Sequence, residues 1–203
     1  MRDEVIQKRD YSNSIKGSTL SLKISSYPVT ARYLAKRLTK SGNTICELCC
    51  GIGISLIEFS RYFDNVVGVD NDPHVVKNAR SNLLNAEIGN CELIVGDISD
   101  LNVLSQINTD VVAYDIPYWS DHESMLMDKN PELKSIVEKI QLSITPNIVI
   151  YAPPHMSQKD FAKMFDNFEY QEIWINGKHD RNFIYLGGLI DSSAITRISL
   201  HSY

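Results

Sequence analysis

The sequence predicts an α/β protein: a Rossmann-like, seven-stranded, mostly parallel sheet with helices on both faces and a C-terminal antiparallel hairpin. Three observations carry this expectation. From residue 43 onward, short β-branched runs alternate with helical segments of about ten residues, the rhythm of βαβ units. Glycine and acidic residues fall at the ends of successive runs, where ligands bind in such sheets. Near the C-terminus, two strand-like runs flank Asn176-Gly177, the strongest short hairpin signal.

The elements follow in order. Residues 44–49 form an apolar run that ends in Gly51-Ile52-Gly53, and Leu56, Ile57 and Phe59 then recur at helical spacing. Residues 66–69 are mostly β-branched and stop at Asp70. Asp72 is placed to cap a helix over 73–84, with Pro73 at its first position. Short strands are expected at 93–95, 111–113 and 147–151, and helices at 132–142 and 158–165. Residues 170–175 and 181–190 complete the hairpin. Residues 1–26 are polar and read as a separate N-terminal arm, leaving 27–203 as the main domain.

Composition narrows the function classes. The chain is 43% apolar and 22% charged, and its ten glycines and seven prolines exclude a collagen-like repeat. No apolar run is long enough to cross a membrane, and no secretory signal is read at the start, so a cytoplasmic protein is expected. Cys46, Cys49, Cys50 and Cys91 lie too close together for a secreted disulfide framework, and they read as buried thiols; no metal site is expected. The net charge of −5 is uneven: residues 1–40 carry nine Lys/Arg against three acids, and the remainder eleven against twenty-two. A basic leader on an acidic body points to a polyanionic partner.

The run Glu47-Leu48-Cys49-Cys50-Gly51-Ile52-Gly53 separates the cofactor classes. A dinucleotide fingerprint would place a third glycine where Leu56 stands, and a phosphate loop would need Lys followed by Ser or Thr. An acid entering a tight glycine turn suits a cationic ligand better. S-adenosylmethionine carries an ammonium and a sulfonium and has no phosphate. The run resembles the first motif of class I S-adenosylmethionine-dependent methyltransferases, with Cys49 at the first glycine. That resemblance implies cofactor contacts from Glu47, Cys49, Gly51, Gly53 and Asp115, with Asp70 on the ribose and Asp97 and Ile98 around the adenine.

Asp115-Ile116-Pro117-Tyr118, after the fourth strand, resembles the [D/N/S]-P-P-[Y/F/W] signature of methyltransferases that modify planar amino groups. An exocyclic amine is a poor nucleophile because its lone pair is delocalised. A side-chain acceptor (Asp115) and a backbone carbonyl (Ile116) can each take one N–H, aiming the lone pair at the methyl group. Pro117 stiffens the turn, and Tyr118 offers a face for base stacking. Ile116 replaces the first proline, but its carbonyl survives the exchange. Over about residues 27–190, the order of segments is similar to the trimethylguanosine synthase family, which methylates guanine N2 of RNA caps. The matching stretches include Tyr27-Pro28-Val29-Thr30 and Val69-Asp70-Asn71-Asp72-Pro73, which adds Thr30 and Asn71 to the implied cofactor contacts. Pro154 stands where that family has an arginine.

The expected activity is thus methylation of a nucleobase amine in RNA, most simply guanine N2. An adenine-N6 or glutamine methyltransferase and a non-catalytic cofactor-binding subunit remain open. Trp119, His122 and His155 are candidates to border the substrate, and Lys178 and Arg181, at the hairpin tip, to meet RNA phosphates. A protein partner or a second copy is also open. Removing residues 1–26 is expected to weaken RNA binding and spare cofactor affinity.

Overall fold

The computed structural model describes residues 15–116 and 130–202. Its strands are β1 (Thr44–Leu48), β2 (Asn65–Asp70), β3 (Cys91–Val95), β4 (Val111–Asp115), β5 (Ile148–Ala152), β6 (Glu169–Ile175), β7 (Lys178–Tyr185) and β8 (Thr196–Leu200). They form one sheet in the order β3-β2-β1-β4-β5-β7-β6-β8, in which β7 alone among the described strands runs antiparallel. The expected alternation and hairpin are both present. Asn176 and Gly177 adopt φ of 49° and 80°, the pair of positive values that a tight hairpin turn requires. The sheet has eight described strands rather than seven. β8 pairs parallel with β6 at the edge, and five residues at an edge give too short an alternation to stand out in sequence.

Helices α1 (Thr19–Ile24), α2 (Pro28–Leu38), α3 (Ile54–Phe59), α4 (Pro73–Asn85), α5 (Leu101–Leu104), α6 (Asn130–Ser143) and α7 (Gln158–Phe161) accompany the sheet. Their starts follow local chemistry. The Asp72 carboxylate accepts the His74 N–H at 2.8 Å, and Pro73 needs no donor there. Ser157 and Asp160 close a reciprocal capping box on α7. Side-chain alternation along each strand then divides the core. Val112, Tyr114, Ile148 and Ile150 pack with Leu133, Val137 and Ile140 of α6 on one face. Val111, Ala113, Val149 and Tyr151 pack with Leu34 and Leu38 of α2 and Leu56 and Phe59 of α3 on the other. Because β1 lies between β2 and β4, the crossovers diverge on its two sides and open a crevice at the carboxyl ends.

The basic leader is partly stitched into this body. Arg32 donates from Nε and Nη2 to both oxygens of the fully buried Glu58 carboxylate, at 3.0 and 3.1 Å. Arg37 donates to buried Glu169 at 2.8 Å and lies over the Tyr185 ring. Lys16, Lys23, Lys36 and Lys40 remain exposed, whereas Arg2, Lys8 and Arg9 lie outside the described residues. Two of the cations assigned by sequence to a polyanion therefore serve α2 docking.

Replacing Arg32 by Met leaves Glu58 buried with the longer 3.5 Å contact to Arg61. The variant is expected to lose about 2 kcal/mol of stability, below the roughly 3–5 kcal/mol of a fully buried pair because Arg32 is itself part-exposed. A thermal melt would read this as a fall of roughly 4–8 °C.

Candidate functional site

A cavity of about 420 Å³ opens at the carboxyl ends of β1 to β4, a size that suits a small-molecule cofactor. Its described lining includes five carboxylates (Glu47, Asp70, Asp97, Asp115 and Glu132) and no lysine or arginine. Such a lining attracts cations and repels phosphate.

The turn after β1 shapes the cavity mouth. Cys49, Gly51 and Gly53 all take positive φ, at 60°, 56° and 81°, so a side chain is strained at each of the three motif positions. Cys49 bears that strain at the first of them. Asp70 braces the turn: its Oδ2 accepts the Gly51 N–H at 2.9 Å and its Oδ1 the Asp72 N–H at 3.1 Å. The Cys50 N–H also donates to the Val69 carbonyl at 2.9 Å. The ends of β1 and β2 are thus tied through one carboxylate, whose oxygens each keep a further lone pair. At the end of β3, Asp97 accepts the Ser99 N–H at 2.8 Å, which holds its carboxyl below the usual range, beside buried Ile98.

The floor of the cavity is polar and incompletely satisfied. Glu47 and Asp115 project from one face of adjacent strands, since Glu47 pairs with Ala113 and Asp115 stands two residues on. Glu47 Oε2, Asp115 Oδ1 and the Tyr151 hydroxyl are all closed off from solvent without a hydrogen-bond partner. Native proteins rarely leave such groups unpaired, and two of the three, on Glu47 and Asp115, belong to residues that line the cavity. Burial pushes the Glu47 carboxyl well above its ordinary range; the Asp115 charge adds to this, and the Arg181 charge opposes it. Burial likewise raises Asp115 to about 7, against the pull of Arg181.

The remaining residues named from sequence scatter. Asn71 and Ile98 line the cavity, whereas Thr30 is buried in α2 with its hydroxyl unpartnered and lies outside the described lining. Ile116, at the position where the resembled signature has a proline, has its side chain in the core with Tyr114, Leu133 and Val137. Pro117, Tyr118, Trp119 and His122 lie outside the described residues. His155 is exposed beyond β5, on a loop fixed by Asn182 Nδ2 donating to the carbonyls of Pro153 and Met156, and it does not line the cavity. Lys178 is exposed at the hairpin tip. Arg181 corrects its expected role: it is 4% exposed and donates inward to Ser26, so it does not meet phosphates in solution. A second correction concerns the arm. Ser21, Ile24, Ser25 and Ser26 line the cavity, so truncation at residue 26 removes cavity wall as well as positive charge. The sequence signal for these residues was weak, because a Ser-rich stretch reads as solvated coil until its neighbours are known.

A parallel sheet with this crevice, a strained glycine turn and an acid at each strand end define a class I methyltransferase fold. The chain belongs to the methyltransferase domain family, whose match spans residues 39–188. Its cofactor is S-adenosylmethionine, and the donor set fits that group, since the orphaned Glu47 and Asp115 oxygens and the phosphate-repelling lining suit a ligand bearing an ammonium and a sulfonium. A candidate methyltransferase from Porphyromonas gingivalis W83 superposes with a TM-score of 0.73 at 18% identity, over 90% of this chain and 47% of that one. Magnesium protoporphyrin IX methyltransferase from Synechocystis PCC 6803, solved with bound S-adenosylmethionine, gives 0.58 at 15% identity, over 78% of each chain. In sequence, 58 residues are 36% identical to the 23S rRNA (uracil(1939)-C(5))-methyltransferase RlmD of Xylella fastidiosa, which is 29% of this chain and 13% of that enzyme. The chain thus spans less than half the length of the Porphyromonas protein and a small part of the Xylella one. Among the described residues, no helix is long and apolar enough to cross a membrane, and no cluster of three His, Cys, Asp or Glu could hold a metal ion.

Glu47 supplies a further prediction. A carboxyl raised by folding binds its proton more tightly in the folded chain, so its contribution to stability is full below the unfolded value of about 4.3 and is lost as pH rises toward the folded value. Glu47→Gln mimics the protonated form. In the ligand-free protein it should raise the melting temperature at neutral pH, with the gain fading below about pH 5. Calorimetric titration should show S-adenosylhomocysteine binding at least tenfold weaker.

Proposed function

We propose that this domain methylates an exocyclic amino group of a nucleobase in RNA, with guanine N2 as the target. The carrying observation is Asp115: a carboxylate at the end of β4, with one oxygen unpartnered, on the cavity floor and directly before Ile116-Pro117-Tyr118. Bound S-adenosylmethionine supplies an electrophilic methyl group on a sulfonium. Glu47 holds the ammonium end, Asp70 and Asn71 the ribose, and Asp97 with Ile98 the adenine. Gly51 and Gly53, with Cys49, let the backbone come close. Asp115 and the Ile116 carbonyl each accept one N–H of the amine, turning its lone pair toward the methyl carbon, and Tyr118 stacks on the base. Positioning of this kind supplies most of the barrier reduction, so no strong general base is required.

Cysteine chemistry supports nitrogen over carbon as the acceptor. Methylating a pyrimidine carbon calls for a nucleophile that first adds to the ring, and the thiolate is the reactive form of cysteine. All four cysteines are described, and burial raises every thiol, holding them protonated at neutral pH. RNA as the polymer is supported by the short similarity to a ribosomal RNA methyltransferase and by the exposed Lys16 and Lys23 beside the cavity wall. A cytoplasmic location follows from that substrate.

The test is incubation with radiolabelled S-adenosylmethionine and total RNA, followed by digestion to nucleosides and chromatography. Label in N2-methylguanosine is expected. Label in N6-methyladenosine would keep the amine chemistry and replace the base, whereas label at a pyrimidine carbon would overturn the reading.

Asp115 gives the pH dependence. It accepts the amine N–H as a carboxylate, and with a value of about 7 its ionised fraction grows as pH rises. The kcat/KM of the wild type is expected to climb about tenfold per unit below pH 7 and to level off above pH 8. Asp115→Asn should flatten that limb and lower the rate at least a hundredfold while keeping cofactor binding.

A further inference from the structure

Arg181 is a buried charge for which the transfer chemistry above has no direct use. It stands on β7 at 4% exposure, its Nη1 donating to Ser26 Oγ at 2.7 Å and its Nε to Asp180 Oδ2 at 2.7 Å. Strand register explains its aim. Asp115 pairs with Tyr151 across β4 and β5, and Tyr151 pairs with Phe183 across β5 and β7, two residues from Arg181. Side chains two apart share a face, so Asp115, Tyr151 and Arg181 project together. The guanidinium carbon lies 5.8 Å from the centre of the Tyr151 ring.

The partner of this arginine is the end of the N-terminal segment. The described residues of that segment, from 15 onward, are held at three places. At its start, Asn82 of α4 accepts the Lys16 N–H at 2.7 Å and donates through Nδ2 to the carbonyls of Lys16 and Ile52, at 2.9 and 3.0 Å. In the middle, Leu22 is buried against Ile52 and Ile54. At its end, Ser26 is held by Arg181. Between the first and last anchors, Ser21, Ile24 and Ser25 face the cavity. α1 has six residues and buries one, Leu22, so by itself it is too short and too polar to hold a fixed place.

We propose that Arg181 is a positioning residue: it latches residues 21–26 down as the wall of the cofactor cavity and supplies the positive charge that faces the Asp115 carboxylate from behind. The two roles come from one side chain because the guanidinium offers several donors in a rigid fork, which lysine cannot reproduce. Among the described residues, the titratable and charged groups that act on Asp115 are Glu47 on β1, the Cys49 thiol just after it, Tyr114 on β4 itself, the Tyr151 hydroxyl on β5, and Asp180 and Arg181 on β7. Of these, Arg181 is the cation, and it favours the ionised carboxylate against burial and the Asp180 charge. Fastening the wall and keeping the acceptor ready are thereby linked, and the second role rests on the amine reading of Asp115.

The experiment compares Arg181→Met, Arg181→Lys and Ser26→Ala with the wild type. Trypsin cleavage after Lys23 reports the wall without any substrate, and calorimetric titration with S-adenosylhomocysteine reports the cavity. Arg181→Met is expected to be cut about tenfold faster at Lys23 and to bind S-adenosylhomocysteine about tenfold more weakly. Arg181→Lys should lie between it and the wild type. The midpoint of the kcat/KM pH limb should move up by about one unit in Arg181→Met and return most of the way in Arg181→Lys. Ser26→Ala breaks the latch and leaves the charge, so it should speed cleavage without moving the midpoint. It also keeps the test decisive should Arg181→Met fail to fold. Wild-type cleavage and binding in Ser26→Ala or Arg181→Met would overturn the latch, and an unmoved midpoint in a folded Arg181→Met would overturn the charge role. If the wild type itself lacks the limb, the amine reading fails, while the cleavage and binding data still decide the latch.

Discussion

Two carboxylates brought to the same face of adjacent parallel strands set the terms for the rest of the molecule. Glu47 on β1 and Asp115 on β4 sit at strand ends, where the backbone N–H groups that could have neutralised them have run out. Each keeps an oxygen unpartnered and sealed from water. Burial penalises both charges, so the two carboxyls hold their protons above the ordinary carboxylate range. A cation entering the cavity reverses that balance. Burying two carboxylates there therefore favours a positively charged ligand over a neutral or anionic one.

The architecture around the pair serves this constraint. Asp70 closes the glycine turn onto the end of β2 through two backbone N–H groups, which fixes the mouth without consuming the carboxylate. Tyr151 on β5 and Arg181 on β7 project from the same sheet face as Asp115, behind the cavity lining. The antiparallel β7 is what lets a residue near the hairpin tip lie beside the carboxyl ends of parallel strands. A parallel strand in that slot would present its opposite end there. The late hairpin is thus part of the site as well as a finish to the sheet, and the N-terminal segment fastened to it becomes a wall.

Charge distribution carries a related lesson. A leader with an excess of cations on an acidic body suggests a polyanion partner, yet Arg32 and Arg37 are spent on buried Glu58 and Glu169. Long-range complementarity between the two halves of the sequence is partly the chain binding itself. Of the exposed lysines that remain, Lys23 belongs to the segment that walls the cavity, whereas Lys36 and Lys40 stand at and just past the far end of α2, so the positive charge near the cavity is weaker than the composition implies.

The sequence by itself determined the alternating βαβ order, the hairpin at Asn176-Gly177, the Asp72–Pro73 helix start, and the run of acids and glycines at successive strand ends. These are local properties: a turn, a cap or a period is set by residues within a few positions of one another, and so they can be read along the chain. Tertiary structure decided what depends on distance in space. The eighth strand exists because an edge was free beside β6. Ile116 tolerates a proline's place because a core pocket receives its side chain. Arg181 points inward because antiparallel pairing carries it to Ser26, 155 positions away in the chain. No pattern in a linear sequence records which buried charge will face which, because register and strand order fix that pairing only once the sheet has closed.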